Sequence, residues 1–151
     1  MSSGPGFVIA DMNLPVRRVN VINLFAEDLA GTRSFYQGVL GLPLAFEDGT
    51  VAVFELENMM VCLTDVSAAP ALIAPTAVAS PTAGSRFVLA VRVDDVDAAC
   101  TELAQHGVVL LNGPVDRPWG MRTASFADPA GHIWEIAQDL DQDGATAAPA
   151  E

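Results

Sequence analysis

Phe126-Ala127-Asp128-Pro129-Ala130-Gly131-His132-Ile133-Trp134-Glu135-Ile136-Ala137-Gln138 reads as a strand, a tight turn and a second strand. Asp-Pro-Ala-Gly is turn chemistry: Pro presets φ at the second turn position and Gly supplies an unusual φ further on. Side chains alternate along a strand, so Ile133, Glu135 and Ala137 share one face, and His132, Trp134 and Ile136 share the other. One carboxylate therefore stands among apolar neighbours, and its surroundings bear directly on function.

Working outward, Arg86–Val93 forms a strand that ends in Asp94-Asp95. A helix follows with Val96, Ala99, Cys100, Leu103 and Ala104 on one face, closed by His106-Gly107 with Gly107 as its C-cap. His106 at that helix end complements the helix dipole. A short strand is expected at Val108–Leu111, then Thr123–Ala127 and the strand Ile133–Gln138. The same order occurs earlier. Val19–Ala26 is a strand, Glu27-Asp28 ends it, and Asp28 is placed to cap the next helix. Leu29, Thr32, Phe35, Tyr36, Val39 and Leu40 recur at helical spacing until Gly41 and Pro43. Strands at 43–47, 51–56 and 59–64 follow, with Asp48-Gly49 and Glu57-Asn58 as turns. Leu24-Phe25-Ala26-Glu27-Asp28-Leu29 matches Val91-Arg92-Val93-Asp94-Asp95-Val96, so the chain contains an internal repeat. Two βαβββ modules explain residues 18–138, in an α+β fold whose mixed sheet is cupped.

The remaining segments are a flexible arm at 1–17, a linker at 66–85 and a disordered acidic tail at 139–151. Within the arm, Phe7-Val8-Ile9 is able to add to a sheet edge. The linker is rich in Ala, Pro and Ser and longer than most loops inside a compact domain, which suits a connection between modules or a flap over a site.

The net charge is -12, and the seven cationic residues are all arginines. This acidity disfavours nucleic acid and anionic membranes. The N-terminus has no signal-peptide pattern, and no apolar run is long enough to span a bilayer. Cys62 and Cys100 have no motif spacing and suit a reducing compartment. A cytoplasmic protein is expected.

Several motifs together resemble the vicinal oxygen chelate superfamily of glyoxalase I, extradiol dioxygenases and the fosfomycin- and bleomycin-resistance proteins. They are Asp28-Leu29 with Ser34-Phe35-Tyr36 and Val39-Leu40-Gly41-Leu42, then Val93-Asp94-Asp95-Val96, Pro118-Trp119-Gly120, and Asp128-Pro129-Ala130-Gly131-His132 with Trp134-Glu135. The resemblance implies that each module curls into half a cup around a pocket. It places the metal ligands of metal-dependent members at positions near Val21, Cys62, Val88 and Glu135. Valines cannot ligate, and a lone thiol is a poor partner for one carboxylate at an iron or manganese site. The expectation is therefore no metal, no cofactor and a binding pocket closest in character to the bleomycin-resistance proteins.

The candidate ligand-binding residues are Asn23, Phe25, Phe46, Phe54, Met60, Cys62, Arg86, Trp119, Met121 and Glu135. Methionine thioethers suit an adaptable pocket. Glu135 in an apolar cup is costly unless paired, with Arg86 or Arg92 as the internal partners. The expected ligand is aromatic and neutral or cationic, and a homodimer is expected because half-cups leave open sheet edges, with pairing of modules between chains or cup closure within each chain left open. Two alternatives remain. One is a metal-independent lyase or isomerase with Glu135 as general base. The other is a metalloenzyme whose ligands lie at different positions.

Overall fold

Two aspartates start the two halves in the same way. Asp28 accepts a hydrogen bond from the Gly31 amide at 3.0 Å, and Asp95 accepts one from the Ala98 amide at 3.0 Å. Each satisfies a backbone donor that the first helical turn leaves unpaired. The computed structural model describes residues 15–140. Most of the expected arm, including Phe7-Val8-Ile9, and most of the expected tail lie outside the described residues.

The first sheet comprises β1 (Val21–Ala26), β2 (Leu44–Glu47), β3 (Val51–Glu55) and β4 (Met60–Asp65), in the order β1-β4-β3-β2. The second comprises β5 (Leu89–Arg92), β6 (Asn112–Arg117), β7 (Met121–Ala127) and β8 (Ile133–Asp139), in the order β5-β8-β7-β6. In both, the first and last strands pair in parallel and the rest antiparallel. The crossover between the parallel strands carries the helix of each half, α1 (Leu29–Ser34) or α3 (Val96–Gln105). This is the repeated βαβββ order expected from the sequence.

Three segments depart from the sequence reading. The first helix is α-helical only to Ser34, then continues as a π-helical segment, Phe35–Val39. The Leu40 amide accordingly bonds the Phe35 carbonyl at 3.1 Å. The linker begins with a 3-10 turn, Val66–Ala68, and the four-residue helix α2, Pro70–Ile73. The strand expected at Val108–Leu111 instead lies at Asn112–Arg117. Gly113-Pro114 imitates a turn but sits in an irregularity of β6, where the register to β7 shifts between Asn112 and Val115. A bulge of this kind places an extra residue in one strand and bends it.

The two halves share one core. Leu24, Tyr36, Phe54, Val61 and Leu63 from the first cluster with Val96, Leu103, Phe126, Trp134 and Ile136 from the second. Tyr36 is the hub. Its ring lies 5.8 Å from Phe54 and 5.9 Å from Trp134. Burying each such side chain contributes roughly 1.5–3 kcal/mol. The faces that carry the helices are thus turned to this core, which leaves the opposite face of each sheet open.

The strand expected at Arg86–Val93 is shorter, Leu89–Arg92. Leu89, Val91 and Val93 pack against the core, but Phe87 is 46% exposed and sits edge-on to His132. It precedes β5, so no sheet register holds it on their face.

Candidate ligand-binding site

The open face of the first sheet follows from its register. Asn23 pairs with Cys62, Phe25 with Thr64, and Val53 with Cys62 and Phe46. Paired residues point to the same side, so Asn23, Phe25, Phe46, Val51, Val53, Met60, Cys62 and Thr64 share one surface. Its polar thread is short: the Thr64 hydroxyl donates to Asn23 Oδ1 at 3.2 Å, and Cys62 Sγ lies 3.5 Å from Thr64 Oγ1. The rest is apolar, with Val21, Phe46 and Met60 at 45%, 56% and 36% exposure.

Phe54 does not belong to this surface. It pairs with Val61 and Leu44, points to the helical side and is fully buried against Tyr36. The correction is one of strand parity, since Val53 and Glu55 occupy the positions that face outward on β3.

On the second sheet Glu135 pairs with Ala90 and Ser125, Ser125 with Asn112, Thr123 with Val115 and Ala137, and Arg117 with Met121. These residues share the open face. Met121 is there as expected, but enclosed. Trp119 occupies the turn between β6 and β7 and is half exposed. Glu135 is partly buried and has no hydrogen-bond or ion-pair partner among the described residues. The expected pairing with Arg92 is corrected: Arg92 Nη1 lies 3.3 Å from Asp139 Oδ2 instead. Arg92 is in register with Ala137, so Glu135 and Asp139 flank it on one face of β8, and the guanidinium reaches Asp139. Arg86 is exposed and lies elsewhere, with Phe25, Phe87 and His132 in a small cleft of about 260 Å³ beneath the linker.

Sequence reading missed the polar group around Arg117. Arg117 Nε donates to Thr123 Oγ1 at 3.0 Å and Nη2 donates to Asn112 Oδ1 at 3.3 Å. The guanidinium carbon sits 5.9 Å from the centre of the Trp119 ring. Once β6 is recognised, Arg117 falls beside Thr123 by parity alone; the strand expected at Val108–Leu111 stops short of it.

The two histidines are structural in position. His132 Nε2 donates to the Phe25 carbonyl at 2.8 Å and so ties the β7–β8 turn to β1. His106 stands at the end of α3 as expected, but it is itself the C-cap residue, and Gly107, expected as the cap, follows it with a φ of +81°. A larger cavity of about 560 Å³ opens on the helical side between the π-helical segment and α3. It includes none of the ten expected residues, and core side chains form most of its wall.

Of the four positions implied for metal ligands, Val21 and Val88 offer no donor atom. The described residues contain no group of three or more His, Cys, Asp or Glu able to hold a metal ion. This donor set does not fit a metal. Both cysteines are free, and burial, the nearby Asp97 charge and a smaller opposing effect of Arg122 leave the Cys100 thiol harder to ionise than usual. No helix among the described residues is long and apolar enough to cross a membrane.

Comparison with known proteins places these observations in context. The profile of the glyoxalase/bleomycin resistance protein/dioxygenase superfamily matches residues 18–136. An uncharacterised Bacillus subtilis protein, YraH, is 31% identical over 123 residues, covering 79% of this chain and 96% of that protein. Among solved structures, a glyoxalase/bleomycin resistance protein/dioxygenase from Nocardioides superposes with a TM-score of 0.77 at 24% identity, covering 94% of this chain and 93% of that one. TnmS3, an antibiotic binding protein from Streptomyces sp. CB03234, gives 0.64 at 24% identity, covering 84% and 99%. A lactoylglutathione lyase from Agrobacterium tumefaciens gives 0.66 at 22% identity, covering 83% and 96%. At these identities the structural likenesses establish the fold.

Proposed function

The chain belongs to the glyoxalase/bleomycin resistance protein/dioxygenase superfamily, and on that premise we propose that it is a non-catalytic protein that sequesters a small aromatic molecule, an antibiotic or another metabolite. The observation that carries this reading is the contrast within the open faces. The positions implied for metal ligands hold Val21 and Val88, whereas exposed aromatic rings, Phe46 and Trp119, stand beside polar anchors. TnmS3 lends the reading support as an antibiotic binding protein of the same fold.

The complete site is formed by two copies, with the first half of one chain facing the second half of another. Exposure of Val21, Phe46 and Met60 on one open face, and of Val88 and Val115 on the other, supports this assembly. Light scattering of the purified protein should give the mass of a dimer; a monomer at micromolar concentration counts against it.

The test of binding is a calorimetric screen of planar aromatic antibiotics and metabolites. Trp119→Ala should weaken a bound ligand by about tenfold, through lost ring contact and lost burial. Unchanged affinity would remove Trp119 from the site. The second reading, a metal-independent lyase or isomerase, draws on the unpartnered Glu135 and on the fold shared with a lyase. Chromatographic detection of a product that disappears in Glu135→Gln would establish it.

A further inference from the structure

We propose that Arg117 is the anchor for an acidic group on the ligand, so that the molecule bound is an aromatic carboxylate rather than a cation. The inference rests on the reading that the open faces bind an aromatic molecule, and it names the chemical class.

Three of the other six arginines on this acidic chain have carboxylate partners among the described residues. Arg33 bonds Glu47, Arg92 bonds Asp139, and Arg122 bonds both Asp97 and Asp116. Arg117 differs. Its two bonds go to a hydroxyl and a side-chain amide, and it has no carboxylate partner among the described residues. Asp139, in the same cross-strand row through Met121, is taken by Arg92.

Neutral acceptors fix the guanidinium without neutralising it. Thr123 holds Nε, Asn112 holds Nη2, and the Trp119 ring lies against the group at 5.9 Å. A guanidinium has more N–H donors than these two bonds use. Its planar fork matches a carboxylate with two parallel hydrogen bonds, which an ammonium does not reproduce. The neighbouring indole offers a surface for a ring attached to that carboxylate. The same open face also carries the row Asn112, Ser125 and Glu135, one residue from each of three adjacent strands. At ordinary strand spacing that row reaches about 10 Å from the Arg117 side to Glu135. A ligand lying along it meets a cation at one end and an acceptor for a hydroxyl or amine at the other.

The overall charge of -12 had suggested a neutral or cationic ligand. Net charge governs the long-range field, which salt screens over about 10 Å. Contact recognition is set by the group the ligand touches.

The experiment uses the full chain and three matched probes: naphthoate, its uncharged amide naphthamide, and naphthylmethylammonium, titrated by calorimetry. Naphthoate should bind at least about tenfold more tightly than naphthamide, the scale of a charge-assisted hydrogen bond. Arg117→Gln should erase that preference, with naphthoate losing far more affinity than naphthamide, whereas Arg117→Lys should retain part of it. If Arg117→Gln does not melt cooperatively, Thr123→Val removes the hydroxyl that orients Nε and should reduce the preference. Equal binding of naphthoate and naphthamide, tighter binding of the ammonium, or a preference that survives in Arg117→Gln would each overturn the proposal while leaving aromatic binding intact. Failure of all three probes, together with failure of the wider aromatic screen, would overturn the binding reading and this proposal with it.

Discussion

The two halves of the chain have the same strand order, the same crossover and the same aspartate cap, yet their open faces differ. The first offers exposed Val21, Phe46 and Met60, with one short thread from Cys62 through Thr64 to Asn23. The second carries Arg117, Asn112 and Glu135, with Thr123 and Ser125 buried on the same face. Repetition therefore fixes the scaffold, because cap, helix and sheet register recur on the core side. It leaves the outward positions unconstrained, since no shared core contact selects them. On the proposed function, an apolar half and a polar half would serve as complementary walls for one amphipathic ligand.

The comparison breaks most severely if the halves separate. Asp128 of the second half holds them together. Its Oδ2 accepts the Tyr36 hydroxyl at 2.6 Å, and its Oδ1 accepts the amides of Ala130 and His132 at 2.8 and 2.9 Å. Trp134 Nε1 donates to the same Tyr36 oxygen at 2.9 Å. Asp128→Ala should destabilise the protein by about 3–5 kcal/mol, because it strands a buried hydroxyl and opens the turn. Tyr36→Phe leaves the turn intact and should cost about 1–3 kcal/mol. Urea unfolding of both variants ranks them, and equal losses would show that the turn contributes nothing beyond the Tyr36 contact.

Much of this was legible in the sequence. Glu27-Asp28 and Asp94-Asp95 announced the two helices, and the Asp128-Pro129-Ala130-Gly131 turn announced β7 and β8. What remained hidden depended on parity through irregular backbone. The strand expected at Val108–Leu111 lies at Asn112–Arg117, and Arg117 was missed with it. Phe54 was assigned to the pocket although its neighbours Val53 and Glu55 hold the outward positions. The contact from Tyr36 to Asp128 spans 92 residues, and no local pattern encodes such a pairing.

The bulge in β6 gives the next test. Gly113 has a φ of +86°, and a Cβ there would lie 2.8 Å from the Ala124 Cα. Neither the conformation nor the space admits a side chain. Gly113→Ala should cost about 2–4 kcal/mol and displace Asn112 from Arg117. In the naphthoate titration it should therefore weaken acid binding even where the protein remains folded. Retained stability with undiminished naphthoate binding would separate the bulge from the site.

Alkaline pH probes the same seam without mutation. Burial first, then the Asp128 charge and hydrogen bond, raise the Tyr36 hydroxyl well above the ordinary tyrosine range, with Trp134 opposing in part. In the unfolded chain this hydroxyl loses its proton near pH 10, while in the folded protein it keeps it. Between those limits the folded state binds more protons, so stability falls as pH rises above about 10. The decline should be shallower in Tyr36→Phe, measured by thermal melts from neutral to alkaline pH. Identical slopes in the two proteins would assign the loss to other groups.

The smallest expected effect belongs to the first half. Gly38 lies in the π-helical segment, and a Cβ placed there meets nothing within 4 Å. Its φ is outside the left-handed range that marks Gly113. Alanine restricts the unfolded chain and favours helical backbone, so Gly38→Ala should stabilise the protein by about 0.4–1 kcal/mol. Its side chain would border the cleft on the helical side, away from Asn23, Cys62 and the other open-face residues. The naphthoate affinity should therefore stay the same while the urea midpoint rises. A change in affinity with this substitution would indicate that ligand occupies the helical-side cleft, and would move the site from the open faces to the junction between the halves.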